Sequence, residues 1–397
     1  MANPLRAIFQ RRVDGGGAGD KAHQSGEGRR RPRLHAWQIE ITSRCSLRCV
    51  MCPRTAGGTK KPAEMSLGEF GRILPSLPGA EHVVLEGWGE STLHPHLIEI
   101  VKLVHSRQAY GQDARAGAVR ERCTKAGFVT GGAGLNEEII DGLIEAGLDF
   151  IGFSLAGATP RTHEAIRKGS DLRRLLGLIK YLLDLKGGGR DRPPKVHIVF
   201  VLLKSNIEEL PLLVRLAAEI GVPEVNLINA VHLSNRAQDE QRVFAYEGGG
   251  APYGPVLAEA ERLARRLGVR LRIPGLVARE AAVCEENPLG NLYVSAEGEI
   301  SPCVFLAPPV GGGAPFRRFF RGDAHFIEKV SFGNVFREPF KDIWENGAYE
   351  AFRRSFQRRL EAVEEAREAI FTLRQPKHSS LPEAPLPCRT CHKLYGL

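Results

Sequence analysis

Residues 37–54 read WQIEITSRCSLRCVMCPR, a strand-like run that empties into a loop carrying Cys45, Cys49 and Cys52. Three thiolates at the spacing C-x-x-x-C-x-x-C can wrap three corners of a [4Fe–4S] cube. The missing fourth ligand leaves one iron open, able to bind a substrate and pass it an electron. A zinc site would want a fourth ligand nearby, and buried structural cysteines would not cluster.

On either side of this loop the chain alternates short β-branched runs with helical patterns, as βα units around a parallel sheet do. The expected strands are 37–42, 82–87, 127–130, 149–155, 195–203 and 224–230, enough to curl into a partial barrel. Asn136 is expected to cap a helix that Gly147 stops, and Asn206 with Glu209 to cap another that Gly221 ends, with Pro211 disturbing its middle. The stretch 104–126 is longer than a connection needs, and 185–194 (LKGGGRDRPP) reads as an exposed linker. A further helix is expected near 255–267. Beyond it, 291–303 reads as two short strands about a turn at Gly298, and a helix from about 340 to 373 precedes a Pro-rich stretch and a terminal Cys-x-x-Cys.

The formal charge of +9 is uneven: residues 1–33 hold eight Lys/Arg against three acids, more than half of the excess. This Gly-rich, apolar-poor segment reads as a solvated, disordered arm, too polar to fold as a leader-peptide-binding domain. With most of the charge in the arm and no aromatic-interleaved basic patch in the C-terminal module, nucleic acid is not an expected partner. No apolar run is long enough to span a membrane and the start lacks a signal-peptide pattern, so a cytoplasmic, reducing setting is expected, in which eight cysteines favour metal ligation over disulfides.

The loop at 41–54 resembles the opening of the radical SAM superfamily, whose cluster holds S-adenosylmethionine (SAM) by its amino and carboxylate groups. The chain departs from the family in having Met51, a flexible apolar residue, where an aromatic usually precedes the third cysteine. EGWGES at 86–91 is similar to the family's Gly-Gly-Glu element, which implies that Gly87, Gly89 and Glu90 bind the SAM amino group. FSLAGATPRTHEAIRKGS at 153–170 resembles the stretch in which a strand-end serine contacts the ribose or carboxylate and an arginine pairs with the carboxylate, roles that fall on Ser154 and Arg167. Arginine's planar fork suits a carboxylate. His163 is assigned no chemistry. Thr130-Gly131-Gly132 stands where the family commonly has Thr-Asn-Gly, so the asparagine's hydrogen bonds are missing or come from elsewhere; Cys123 reads as an incidental thiol.

Cys284, Cys303, Cys388 and Cys391, with Gly298 before Cys303 and the connector-like 331–353, resemble the SPASM/Twitch extension, which carries auxiliary iron–sulfur clusters. Four thiolates complete one [4Fe–4S] cluster, or equally a structural zinc site, and no ligands remain for a second auxiliary cluster. The resemblance implies an α/β fold: a partial (β/α)6 radical SAM barrel at 34–275, following the arm at 1–33, and a small C-terminal iron–sulfur module at 276–397. It implies reductive cleavage of SAM to a 5′-deoxyadenosyl radical that removes a hydrogen atom from a substrate in the maturation of a peptide or protein. Maturation of a metallocofactor, for instance of a tungsten oxidoreductase, is the alternative. A flavodoxin- or ferredoxin-type protein is the implied electron donor. Two readings rank below these: a non-catalytic electron carrier, which has no use for SAM ligands such as Glu90, Ser154 and Arg167, and an RNA-modifying enzyme, disfavoured because most of the basic charge lies in the arm.

Overall fold

The computed structural model describes residues 34–56, 61–77, 79–106, 124–187, 192–248, 252–310, 315–372 and 380–397. The basic arm, Cys123 and most of the long connection at 104–126 lie outside the described residues.

Six parallel strands occupy the six expected stretches: β1 (Ala36–Ile39), β2 (His82–Val84), β3 (Lys125–Thr130), β4 (Phe150–Leu155), β5 (Lys195–Leu202) and β6 (Glu224–Asn229). Parallel neighbours require crossovers, and helices supply them. These are α1 (Leu67–Ile73), α2 (Leu97–His105), α3 (Glu137–Glu145), α4 (Pro160–Ile166), α5 (Leu172–Leu185), α6 (Leu210–Glu219) and α7 (Gly254–Leu267). Side chains alternate across each strand. On β5, Ile198, Phe200 and Leu202 enter the main core with Trp37, Phe70 and Phe153, while Val199 and Val201 pack on the other face with Val129 and Ile228. Truncating a core residue such as Phe153 to alanine costs about 3–5 kcal/mol.

The sheet is wider than six strands. β7 (Arg270–Arg272) pairs parallel to β6, β8 (Asn291–Val294) pairs parallel to β1, and β9 (Ile300–Ser301) pairs antiparallel to β8. The order is β9-β8-β1-β2-β3-β4-β5-β6-β7. The turn at Gly298, with φ +83°, therefore sits in a hairpin continuous with the barrel sheet. C-terminal to it lie a second hairpin, β10 (Phe316–Phe320) with β11 (Asp323–Ile327), and helix α8 (Gly347–Thr372).

Helix ends follow the sequence where a cap is local. Asn136 accepts the Ile139 N–H, and Gly147 has φ +84°. Asn206 does otherwise: its amide donates to the Ala156 and Val201 carbonyls and its oxygen accepts the Leu203 N–H, bracing strand ends instead of capping. Glu209 reaches back to the Ala158 N–H at 2.7 Å, and Pro211 lies in the first turn of α6, where its missing N–H costs nothing. The helix expected over 340–373 is two, Phe340–Trp344 and α8, with the Asn346 side chain accepting the Ala348 N–H at the break.

Candidate active site

The loop after β1 is held by backbone pairing with the segment after α4: Arg48 faces Lys168 and Cys49 faces Arg167. The Val50 N–H donates to the Ile166 carbonyl at 2.9 Å, and Gln238 Nε2 to the Val50 carbonyl at 2.8 Å. Cys49 and Met51 are buried in an apolar cluster with Leu47, Val129, Ile166 and Val199, and Cys45 and Cys52 pack against it. The three thiols thus share one apolar floor. Burial, reinforced by the Glu90 charge, pushes the Cys45 thiol up to about 11, and burial raises Cys52 as well. Thiols so placed stay protonated until a cation takes the proton's place, which is what iron does.

The glycines of the β2 strand end have partners within the fold. A Cβ on Gly89 would lie 1.9 Å from the Thr42 carbonyl oxygen, and one on Gly87 2.5 Å from Glu40 Cβ. The close approach they permit is to the end of β1, where the buried Glu40 carboxylate accepts the Trp88 and Gly89 N–H groups at 2.6 and 3.1 Å. Burial raises Glu40, although these N–H bonds oppose the shift. The sequence reading passed over Glu40, whose only signal is an acid at an inward-facing position of a buried strand.

Glu90 ties together the ends of β2 and β3. Its Oε1 accepts the hydroxyls of Thr130 and Thr92 at 2.6 and 2.8 Å, and its Oε2 accepts the Gly131 N–H at 2.8 Å. Thr130 and the Gly131 backbone therefore bind at the strand end that lacks the asparagine. Oε1 also accepts the Thr92 N–H at 3.5 Å, so the acceptor capacity left for an ammonium group is on Oε2, which takes only the Gly131 N–H.

Ser154 lies on β4 on the face opposite Phe153 and Leu155, which enter the main core, and so shares the inner face with Val129 and Val199. Arg167, at the C-cap of α4, points Nη1 at Cys49 Sγ, 3.7 Å away, and its buried Nε has no hydrogen-bond partner. An orphaned guanidinium N–H beside the thiols is suited to a carboxylate. His163 is internal scaffolding: Nδ1 accepts the Ala156 N–H, Nε2 meets Ser170 Oγ at 3.0 Å, and burial drives it down to about 3.

The C-terminal thiols are gathered from three segments. Cys388 and Cys391 lie in one turn, joined by the Cys391 N–H to the Cys388 carbonyl at 2.9 Å. Burial, then Glu286 and the other three thiols, pushes Cys303 well above its ordinary value, and Cys284 rises for the same kind of reason. Two wholly buried arginines supply positive charge. Arg359 donates to the Ala282 and Ala281 carbonyls and to Glu280, and contacts the Pro382 carbonyl, binding the segments that bear Cys284 and Cys388. Arg318 donates to the Pro387 carbonyl at 3.0 Å, while its Nε and Nη2 are buried without partners, and both arginines lower the Cys388 thiol against a burial-driven rise. Buried cations beside buried thiols suit an anionic cluster. Neither arginine was singled out from the sequence, because nothing local marks them. Among the described residues no three His, Cys, Asp or Glu side chains converge as the ligands of one mononuclear ion do; thiolates spread around a cube need not.

A cavity of about 220 Å³ opens beside the barrel mouth, lined by Glu40, Arg54 and Trp88 and, from the C-terminal module, Tyr293, Ala307 and Lys329. Trp88 Nε1 donates to the Ala307 carbonyl at 2.7 Å, closing one wall.

Residues 39–217 match the model of the Radical SAM superfamily, and residues 284–392 that of the SPASM iron-sulfur cluster-binding domain. The chain is 26% identical over 320 residues to the tungsten-containing aldehyde ferredoxin oxidoreductase cofactor-modifying protein of Pyrococcus furiosus, across 79% of this chain and 82% of that one. It is 26% identical over 332 residues to a PqqA peptide cyclase of Methylobacterium sp., across 79% and 74%. The crystal structure of Streptococcus suis SuiB bound to S-adenosylmethionine has the same fold, with a TM-score of 0.56 at 14% identity over 81% of this chain and 68% of that one. The two matched domains imply, for this chain, SAM with a [4Fe–4S] cluster in the first and an auxiliary iron–sulfur cluster in the second. With both domain models matched in order on a largely parallel sheet, the chain belongs to the radical SAM superfamily, as an enzyme whose SAM-cleaving barrel is followed by a SPASM domain.

Proposed function

We propose that this radical SAM enzyme matures a peptide or protein, presented one side chain at a time to the barrel mouth. The observation that carries this reading is the cavity of about 220 Å³ between the barrel and the C-terminal module, walled by Trp88 and Tyr293 and with room for a side chain. Maturation of a metallocofactor is the second reading, favoured by the likeness to the Pyrococcus furiosus cofactor-modifying protein.

In the proposed site Cys45, Cys49 and Cys52 hold the first cluster, and Cys284, Cys303, Cys388 and Cys391 the auxiliary one. When bound, the first cluster supplies the electron that opens the SAM sulfonium to methionine and a 5′-deoxyadenosyl radical. Glu90 accepts from the SAM ammonium, Arg167 pairs with its carboxylate, Ser154 meets the ribose or carboxylate, and Met51 packs near the adenine. Gly87 and Gly89 keep the strand end against β1 so that Glu90 is placed. The walls of Trp88 and Tyr293 keep water from the radical.

A flavodoxin- or ferredoxin-type donor fits the exposed basic rim around the thiol loop, formed by Arg44, Arg48 and Lys168. Among the described residues no helix is long and apolar enough to cross a membrane; a reducing cytoplasm suits the seven thiols of the two sites.

The test is isotopic. Anaerobically reconstituted enzyme with SAM and reductant is given a perdeuterated peptide and protein fraction or a perdeuterated small-molecule fraction from cells. Deuterium in 5′-deoxyadenosine from the first alone is expected; transfer from the second alone would replace this reading with cofactor maturation.

A further inference from the structure

Residues 230–233, just beyond β6, touch both cysteine sites. Ala230 and Leu233 belong to the apolar cluster that holds Cys49 and Met51, against which Cys45 and Cys52 pack. Val231 packs with Trp88, Tyr293 and Phe305. Between them His232 has φ +56°, in the left-handed region that side-chain-bearing residues seldom adopt. This turns its ring to the C-terminal module.

The ring is fixed there from several sides. It stacks on Phe305 with centroids 3.9 Å apart and planes 7° from parallel. Its backbone N–H donates to His392 Nδ1 at 3.4 Å, and His392 Nε2 meets the Tyr246 hydroxyl at 3.0 Å. His232 Nε2 lies 3.6 Å from Cys391 Sγ, and its Nδ1 is buried with no hydrogen-bond partner. A bare lone pair is cheaper to bury than a bare N–H, so the proton belongs on Nε2, facing the sulfur.

We propose that His232 donates an Nε2–H hydrogen bond to the Cys391 thiolate and raises the reduction potential of the auxiliary cluster. A donor to a cluster sulfur stabilises the more negative, reduced state, and hydrogen bonds to the sulfurs are among the determinants of such potentials. His232 is a positioning residue, since it touches the ligand and neither SAM nor substrate. The same short segment floors the thiol loop, so it links the barrel mouth to the module at which the tuning is applied. The proposal rests on Cys391 being a ligand but not on which substrate is matured. The iron content of a Cys391→Ala protein checks that assignment separately.

The experiment is an EPR-monitored redox titration of the anaerobically reconstituted full chain. His232→Phe keeps a stacking ring and removes the donor; His232→Gln keeps a donor. The auxiliary midpoint should move negative in His232→Phe and less in His232→Gln, with the first cluster's midpoint unmoved. An unchanged auxiliary midpoint in His232→Phe, with its irons retained, overturns the proposal. Should that variant fail to take up auxiliary irons, unaltered protein carrying histidine labelled with ¹⁵N in the ring decides. Pulsed EPR of the reduced auxiliary cluster should show ring-nitrogen coupling together with a solvent-exchangeable proton, and the absence of both overturns it.

Discussion

The two cysteine sites solve opposite problems with the same ligand. At the barrel mouth three thiols come from one loop of eight residues, lie on an apolar floor and have beside them an arginine with an unspent N–H. In the C-terminal module four thiols come from three distant segments, Cys388 and Cys391 buried and Cys284 and Cys303 half-buried, with two buried arginines and a histidine around them. On the proposed ligand sets, the first arrangement would leave a coordination position and a free donor for an incoming amino acid moiety, and the second would use every thiol among fixed partners. Exchange of ligands would then fall to the sparse site, and electron storage to the enclosed one.

The largest effect should separate the two outright. Cys49→Ala is expected to abolish 5′-deoxyadenosine production and cut iron from about eight to about four per chain, whereas Cys388→Ala should lose the other irons and keep a cluster whose EPR spectrum responds to SAM. A Cys388→Ala protein, folded, in which no cluster responds to SAM would erase the distinction.

Acid should next expose a liability of the barrel that bears the open site. His82, His163 and His197 are driven down by burial to about 4, 3 and 4, so they are neutral when folded. In the unfolded chain they bind protons below about pH 6.5, so stability is intact above that value and falls as pH drops toward 4, by roughly 2–4 kcal/mol per pH unit at the steepest. Urea unfolding of the barrel between pH 7 and 5 measures this, and a flat profile would mean that the histidines are already solvated.

Smaller, and specific to the open site, is the effect of Arg167. Arg167→Ala should weaken SAM binding by about tenfold to a hundredfold, and Arg167→Lys should restore only part, because an ammonium cannot fork onto a carboxylate. SAM titration of the cluster's EPR signal reads both; equal affinity in all three proteins would make Arg167 a helix-end charge and nothing more. The smallest effect should come from the rim. Lys168→Glu should slow turnover about threefold with flavodoxin as donor, less with dithionite, and the gap should close at high salt; loss of equal size with both reductants would remove the rim from donor docking.

The same contrast governs what could be read before any coordinates. The six strands were legible because they are β-branched runs whose partners follow in chain order, and the candidate open site stood out because its three cysteines are near in sequence. Asn136 and Gly147 were legible because a cap is a local event. Asn206 was misread because its amide bonds to Ala156 and Val201, a choice made by tertiary packing. β7, with the sequence Arg-Leu-Arg, carries no strand-like pattern, and β8 was legible as a strand but not as the neighbour of β1. In the enclosed site the cysteines announced themselves, while Arg318, Arg359 and His232 did not, since compensating a buried charge is a property of the assembled interior.

The pairing of β8 with β1 also bears on how the protein can be made and cut. The first strand of the barrel gains its second neighbour only when a segment some 255 residues later arrives, a contact of high order that slows completion of the fold. Until then β1 is an edge strand with a row of unpaired backbone groups, the kind of surface on which nascent chains aggregate. Truncation at residue 275, the boundary expected from the sequence, would remove β8 and make that exposure permanent. The barrel is therefore not a detachable part, and it should be expressed with the hairpin at 291–301 that shields it.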